Sequence, residues 1–283
     1  MPLAVAHRAV ANSHPRVLIV ADTGVEISEL NRARWSRASS AREYVDAHEL
    51  FPAERVLLGM LRKQRADWDV LDIGVGGGRT CAALTGMARR YLGIDYSPQM
   101  VGATRERYPH LDIRQMDARH LDGIADGQFD LVCFSFNGID YVTHQDRCRV
   151  LAEIRRVLAP DGVLYFSSHN RDYAGLDDDL QVRMARLSPN PLRSAVRVGR
   201  YLRARLEVHR LRSREQRHDE YLLLNDPEGG VSFLTYYIGV PHQIAQLASA
   251  GFRDPAAFDF EGCPIAADRP HRGDPWLHYL ARG

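Results

Sequence analysis

Eleven residues, VLDIGVGGGRT at 70–80, constrain this chain more than any other stretch. The apolar run breaks into four glycines and then turns polar. That is the pattern of a buried strand ending in a glycine-rich turn at the mouth of a helix. Glycine loses more conformational freedom on folding than other residues, so four of them in five positions carry a large entropic cost. A turn of this kind is expected to bring its backbone against a nucleotide-like ligand.

The spacing narrows the ligand. A dinucleotide fingerprint, G-x-G-x-x-G, wants a small last residue so that the helix can pack closely on the strand. Counted from Gly74 that position is Arg79, and counted from Gly76 it is Cys81, a loose fit at best. The better description is D-x-G-x-G-x-G, formed by Asp72, Gly74, Gly76 and Gly78. By itself the turn leaves two ligands open, a nicotinamide dinucleotide and S-adenosylmethionine.

From about residue 70 to 170, short apolar stretches alternate with amphipathic ones, as in a parallel sheet covered by helices. Strands are expected at Val70–Ile73, Tyr91–Ile94, Ile113–Met116, Phe129–Phe136 and Val163–Ser167. Ser97 and Pro98 read as an N-cap and a proline in the first turn of a helix running toward Arg107. A helix over about 145–158 carries Val150, Leu151, Ile154, Val157 and Leu158 on one face. Ahead of the first strand, Phe51–Pro52–Ala53–Glu54 opens a helix whose apolar face is expected to include Val56, Leu57, Met60 and Leu61. Residues 1–40 form an N-terminal segment with no clear pattern, although Val17–Val20 suits a short strand.

After residue 170 the alternation stops. Residues 183–217 hold eleven arginines against two glutamates, with Leu192, Val196, Leu202 and Leu206 spaced for a helical face. EYLLLND, PEGG and VSFLTYYIG follow, reading as two strands joined by a glycine turn. A helix from Pro241 ends at Gly251, and the tail supplies the last strands. The chain therefore divides into 1–40, a main domain of 41–170 and 235–283, and an inserted cover of 171–234.

With 283 residues the chain can bury a substantial core, and 45% hydrophobic and 26% charged residues with a net charge of +1 suit an ordinary soluble protein. The balance argues against nucleic acid or a membrane as the main partner. The start resembles no secretion signal, and no run of about 18 apolar residues suggests a span, so a cytoplasmic location is expected. Cys81, Cys133, Cys148 and Cys263 form neither a C-x-x-C pair nor a metal-ligand spacing, so no metal is expected; Cys81 and Cys133 suit buried thiols. Nothing in the pattern separates a monomer from a homodimer.

The neighbours of the glycine turn choose between its ligands. Asp95 closes the second strand, where a carboxylate can accept hydrogen bonds from both ribose hydroxyls, in either ligand class. Asp117, in RQMDARHL, ends the third strand. FDLVCFSFNGIDYV ends the fourth, where Phe136 could lie near an adenine while Asn137 and Tyr141 face a substrate. In order, VLDIGVGGGRT, YLGIDYSPQMV, RQMDARHL, FDLVCFSFNGIDYV and IRRVLAPDGVLYFSSHN resemble the successive motifs of class I S-adenosylmethionine-dependent methyltransferases. The resemblance covers about 40–170 and returns at 235–252. It implies a doubly wound, mostly parallel seven-stranded sheet.

The resemblance also implies roles. Gly74 and Gly76 would admit the amino-acid part of S-adenosylmethionine, and Asp72 would position the turn or hold the ammonium through water. Asp95 would bind the ribose, Tyr96 and Met100 would flank the adenine, and Asp117 with Ala118 would read its edge. Ser135 and Phe136 would line the sulfonium side, and Tyr44 would close over the methionine moiety. S-adenosylhomocysteine would be the product.

Methyl transfer needs a nucleophile held about 3 Å from the methyl carbon, in line with the sulfur and away from water. A hydroxyl or protonated amine also needs a base. His169 is the preferred one, because SSHN leaves a buried strand straight into the crevice and histidine titrates near neutrality. His144 competes, its plainer reading being a solvent-facing place in the first turn of a helix, and Asp140, Tyr141 and Tyr173 lie nearby. Asn137, Asn170, Tyr236 and Tyr237 are the candidate substrate contacts, the two tyrosines pointing to opposite sides if they lie on a strand. The acceptor is expected to be a small molecule, methylated on oxygen or nitrogen. An anionic one would suit the arginine-rich stretch, though a solvated helix face explains it as well. Two alternatives stay open: an NAD(P)-dependent oxidoreductase, and a non-catalytic protein that binds the cofactor.

Overall fold

The computed structural model describes residues 24–35, 49–181, 189–227 and 232–283. Tyr44, Val17–Val20 and most of the PEGG turn lie outside the described residues. The chain begins with helix α1 (Gly24–Trp35) and α2 (Pro52–Gln64). It then alternates through β1 (Trp68–Ile73), α3 (Cys81–Thr85), β2 (Ala88–Asp95), α4 (Pro98–Arg107), β3 (Asp112–Gln115), β4 (Phe129–Phe134), α5 (His144–Val157) and β5 (Leu158–Asn170). Next come α6 (Leu176–Asp179), α7 (Pro191–Leu211), β6 (Gln216–Arg217), β7 (Tyr221–Asp226) and β8 (Phe233–Ile238). The last elements are α8 (Val240–Ser249), β9 (Arg253–Phe258), β10 (Pro264–Ile265) and β11 (Trp276–Arg282).

The sheet order is β10-β9-β11-β5-β4-β1-β2-β3, with β6, β7 and β8 off this path. Strands β1 to β5 are parallel, and β11 runs antiparallel to both β5 and β9. The direction of winding reverses between β1 and β4, which opens a crevice beyond their carboxyl ends. The seven strands from β3 to β9 are the expected doubly wound arrangement.

Alternation along the central strands explains why both faces are covered. Leu71, Ile73, Val132, Phe134, Leu164 and Phe166 point to the side held by α5 and α8. Val70, Leu131, Cys133, Val163 and Tyr165 point to the side held by α2. Helix α2 buries Ala53, Glu54, Leu57, Leu58 and Leu61, the i, i+3/i+4, i+7 stripe, and leaves Val56 and Met60 exposed. The expected face was therefore rotated: only Leu57 and Leu61 of the four named residues reach the core. Cys81 and Cys133 are buried free thiols as expected.

The arginine-rich stretch does form a helix, α7, capped by Asn190 through Leu192 N and Arg193 N. Its buried positions are Ala204 and Leu211, whereas Leu192, Val196, Leu202 and Leu206 all lie exposed. The stripe read from the sequence is thus the outer one.

Strand β8 carries the segment after α7 back onto the main sheet. It pairs in parallel with the end of β5, His169 beside Tyr237 and Asn170 beside Ile238. Residue 235, the expected resumption of the main domain, falls inside this strand. Helix α1 covers β8: Ile27 packs with Leu223, Leu234, Tyr236 and Ile238. Asn31 Nδ2 donates to the carbonyls of Leu234 and Tyr141, at 2.8 and 2.9 Å. The N-terminal segment thereby contributes to the roof over the crevice, which its sequence did not announce.

Candidate functional site

The glycine turn leaves β1 with positive φ at Gly74, Gly76 and Gly78. A Cβ at Gly78 would come within 2.8 Å of the Tyr108 ring, and one at Gly74 within 3.0 Å of Phe134. One at Gly76 would meet only the Gly74 carbonyl, at 3.8 Å, so the Gly76 backbone borders open space. Gly78 serves packing, Gly74 is exposed with Phe134 against one side of it, and Gly76 serves access.

Asp95, buried at the end of β2, accepts from Gly76 N at 3.0 Å and from Ser97 N at 2.8 Å. Burial pushes its carboxyl up to about 6. Asp72 is fully buried beneath the turn, where Thr80 Oγ1 and Tyr91 OH both donate to its Oδ2, at 2.7 and 2.8 Å. Its Oδ1 is buried without a hydrogen-bond partner, and burial raises this group to about 6 as well. Its observed contacts prop the turn from below through Thr80.

On the β2–β3 side, Met100 is buried, and Tyr96 and Ala118 are half-buried. Asp117 is less free than its spacing suggests. Arg119 donates from N and Nε to Oδ1, each at 3.0 Å, and from Nη2 to Oδ2 at 2.7 Å. Burial raises the Asp117 carboxyl, but these hydrogen bonds outweigh it and leave the group below its ordinary value. Arg119 also reaches Asp146 at 3.0 Å and Glu29 of α1 at 3.1 Å. It ties the loop after β3 to the roof.

Beyond β4 the chain makes a strained turn. Phe136 and Asn137 take φ of 54° and 56°, a left-handed pair without glycine, which ends the strand two residues earlier than expected. Gly138 follows because a Cβ there would collide with the Phe134 ring. That same ring sits against Gly74, so one side chain separates the two turns. Ser135 is buried, with Oγ 3.4 Å from Arg79 Nη2. The Phe136 ring turns toward β11: it stacks on Phe51, centroids 5.3 Å apart, and meets the edge of Trp276. Its described contacts are with Phe51, Trp276 and Arg79.

The turn delivers Asp140 to His169. Asp140 is fully buried, and its Oδ2 accepts from His169 N at 2.6 Å and from His169 Nδ1 at 2.8 Å. Its Oδ1 accepts from Ser168 Oγ at 2.8 Å and from Arg147 Nη1. With Nδ1 carrying the proton toward Asp140, the His169 Nε2 lone pair faces Asn137 Nδ2 at 3.5 Å. Tyr237, Tyr141 and Trp276 surround the imidazole, at centroid separations of 5.1, 6.3 and 6.4 Å. His169 is brought together with Asn137, Tyr141 and Tyr237, three residues read from the sequence as its neighbours.

Others are committed elsewhere. His144 begins α5, but its ring stacks 4.4 Å from Tyr221 and its Nδ1 lies 2.8 Å from Tyr236 OH. Half-buried, it is committed to these partners instead of to His169, and burial, reinforced by Arg147, lowers its affinity for a proton. Tyr236 is fully buried under that contact and under Arg147, so it is not a substrate contact; its neighbour Tyr237 takes the opposite face of β8. Asn170 is fully buried too, donating to the carbonyls of His271 and Asp274, so it anchors the loop before β11.

Sequence reading missed two buried ion pairs beside the crevice. One is Arg147 with Asp140. Arg79 is held by both oxygens of fully buried Glu54, and its guanidinium lies 4.9 Å from the Phe51 ring centroid and 5.4 Å from that of Phe136. Glu54 also accepts from Phe51 N, a capping-box contact that S/T/D/N-based rules overlook because the cap residue is phenylalanine. Among the described residues, no cluster of His, Cys, Asp and Glu is arranged to hold a metal. No helix among them is long and apolar enough to cross a membrane.

Residues 70–162 match the family model described as a methyltransferase domain. A probable S-adenosylmethionine-dependent methyltransferase of Mycolicibacterium smegmatis is 34% identical over 121 residues, 43% of this chain and 46% of that protein. A ubiquinone biosynthesis O-methyltransferase of Thiobacillus denitrificans is 30% identical over 152 residues, 52% of this chain and 62% of that protein. The chain thus spans less than two thirds of the length of these curated relatives. Among solved structures, a Burkholderia thailandensis 1,6-didemethyltoxoflavin-N1-methyltransferase, bound to its substrate and S-adenosylhomocysteine, superposes with a TM-score of 0.55 at 17% identity. That likeness, over 98% of this chain and 92% of the other, is one of fold. Residues 70–162 are a methyltransferase domain, and over that stretch the chain is similar to S-adenosylmethionine-dependent methyltransferases.

Proposed function

We propose that the protein methylates an oxygen or nitrogen of a small molecule with S-adenosylmethionine, releasing S-adenosylhomocysteine. The residues around the glycine turn fit that cofactor: open space at Gly76, a buried carboxylate at Asp95, and an unpartnered buried oxygen at Asp72. Gly74 and Gly76 would receive its amino-acid end, Asp95 its ribose, and Tyr96, Met100, Asp117 and Ala118 its adenine. When bound, the cofactor supplies an electrophilic methyl group on a sulfonium that leaves as a neutral thioether.

The observation that carries the reading is the Asp140–His169 pair at the carboxyl end of β5. Asp140 orients the ring and fixes its tautomer, so Nε2 can take a proton from an acceptor hydroxyl. By taking that proton, Nε2 would make the acceptor oxygen a nucleophile toward the methyl group that the bound cofactor would supply. Tyr141, Tyr237 and Trp276 keep water from the imidazole. The described part of the inserted segment, β7 and β8 with α1 packed on them, would shut the acceptor in. Names of similar proteins point both ways, one to oxygen and one to nitrogen. The oriented base supports oxygen.

Exchange of His169→Asn is expected to lower kcat on the true acceptor by about 10²- to 10⁴-fold. The dissociation constant for S-adenosylmethionine, read by calorimetry, should stay within about twofold. Wild-type turnover in that variant sinks the base assignment. Binding of NADH in place of S-adenosylmethionine sinks the whole reading.

A further inference from the structure

Arg147 is a charged side chain with no exposed surface, placed on the far side of Asp140 from His169. Its donors are all engaged. Nη1 reaches Asp140 and the Ile139 carbonyl, Nη2 reaches Ser168 Oγ and Gln243 Oε1 at 3.0 and 2.7 Å, and Nε reaches Gln246 Oε1 at 3.0 Å. The guanidinium also lies over the Tyr236 ring. Five elements are thereby spent on one cation. A buried ion pair is poor value for stability, because desolvation offsets much of the attraction, and apolar residues of equal volume often serve as well. The pair therefore calls for another explanation.

The electrostatics offers one. A guanidinium stays protonated in a protein, so Asp140 already faces one cation before His169 takes a proton. An imidazolium at 169 would be a second cation on a single carboxylate. Among the described residues, the ionisable groups packed near the ring are engaged with other partners. Tyr141 and Tyr237 contribute rings, and the Tyr237 hydroxyl donates to Asp226 at 2.8 Å. Arg171 is turned to the carbonyls of His218 and Asp219 and lies 3.9 Å from Asp172. His271 is paired with Asp274 at 2.7 Å. His144 and Asp146 on α5 contact Tyr236 and Arg119 respectively.

We propose that Arg147 is a positioning residue that sets the proton affinity of His169: by compensating Asp140, it keeps the imidazole neutral and its Nε2 lone pair available. This rests on His169 acting as the base. It assigns Arg147 to a task that neither packing nor cofactor binding requires. The imidazole must stay uncharged next to a cationic methyl donor, and a lone aspartate partner would instead hold it protonated.

The test is an NMR titration of His169 in the cofactor-free protein, with resonances assigned through His169→Asn. Exchange of Arg147→Gln should raise the His169 midpoint by about 1–2 pH units, the size expected for removing a nearby like charge. The acid limb of the kcat profile should move with it. Arg147→Lys, which retains the charge, should leave the midpoint within about 0.3 units of wild type. An unmoved midpoint in Arg147→Gln, or an equal shift in Arg147→Lys, overturns the proposal. Wild-type protein gives a reading free of folding effects. Its nitrogen shifts at pH 7 should be those of a neutral ring protonated on Nδ1, and an imidazolium there overturns the proposal whatever the variants do. If the midpoint moves while the rate profile does not, the base role fails and the Arg147 assignment stands.

Discussion

The two sides of the crevice are assembled over different distances along the chain. Around the glycine turn, Gly76 meets Asp95 across 19 residues, and Asp72 meets Thr80 across 8. Around His169 the partners are Asp140, 29 residues earlier, Tyr237 on a strand reached through the whole insertion, and Trp276 on the last strand. The first side is a strand–turn–helix unit with one ligand in view, so short-range spacing suffices to build it. The second is a convergence of separate elements, which leaves room for a different acceptor whenever one of them changes. Each side also holds a buried arginine–carboxylate pair. Glu54 gives both oxygens to Arg79 and a backbone cap, whereas Asp140 divides its oxygens between Arg147 and His169.

This contrast can be broken by substitution. The largest effect is expected from Asp140→Asn, which leaves the Arg147 cation buried without its counter-charge. It should remove about 3–5 kcal/mol of unfolding free energy in a urea titration, while cofactor affinity in the protein that remains folded stays near wild type. A large loss of that affinity would mean that the two sides are not separable. On the other side, Asp95→Asn should weaken S-adenosylmethionine binding by about 10- to 100-fold, since it loses charge-assisted hydrogen bonds. Isothermal calorimetry reads this directly.

The same carboxylate makes a pH prediction. Burial holds the Asp95 group near 6, above the ordinary 3.8, so the folded protein binds that proton more tightly than the unfolded chain. Its stabilising contribution is present at pH below about 3.8 and is lost as pH rises through about 6. Ribose hydroxyls favour the charged form, so cofactor affinity should fall as pH drops below about 6. Binding at pH 5.5 should release a proton, visible as a buffer-dependent heat. A buffer-independent heat would remove Asp95 from the site.

Gly138→Ala probes the link between the sides. Its methyl would drive the Phe134 ring toward Gly74, costing about 1–3 kcal/mol by overpacking. It should also lower cofactor affinity, although residue 138 lies on the acceptor side. The smallest change belongs to neither side: Leu202→Gln, on the exposed stripe of α7, should alter unfolding free energy by no more than about 0.5 kcal/mol.

The alternation of β1 to β5 was legible because the central strands β1, β4 and β5 are buried on both faces and connecting turns carry their own signals, such as Ser97–Pro98. The face of α2 was misread because Val56 and Met60 differ from Leu57 and Leu61 only in which way the helix is turned. Periodicity alone gives a stripe, and the sheet beneath decides whether that stripe is the inner one. The outward stripe of α7 has the same cause. Asp140 was visible as one polar residue of a loop. Its link to His169 was not, because two consecutive left-handed residues without glycine have no composition signal.

The residues by themselves determined the strand–turn–helix proposed to receive the cofactor, its position before Asp95, and His169 at the end of β5. These rest on bonds closed within short stretches, where residue type and spacing are enough. The tertiary structure decided which candidates share a space. It set His144, Tyr236 and Asn170 aside, brought Asp140 and Tyr237 to His169, and placed α1 over β8. It also buried Arg147 behind the aspartate. Those outcomes depend on packing between elements far apart in the chain, and on whether a buried charge finds its partner there.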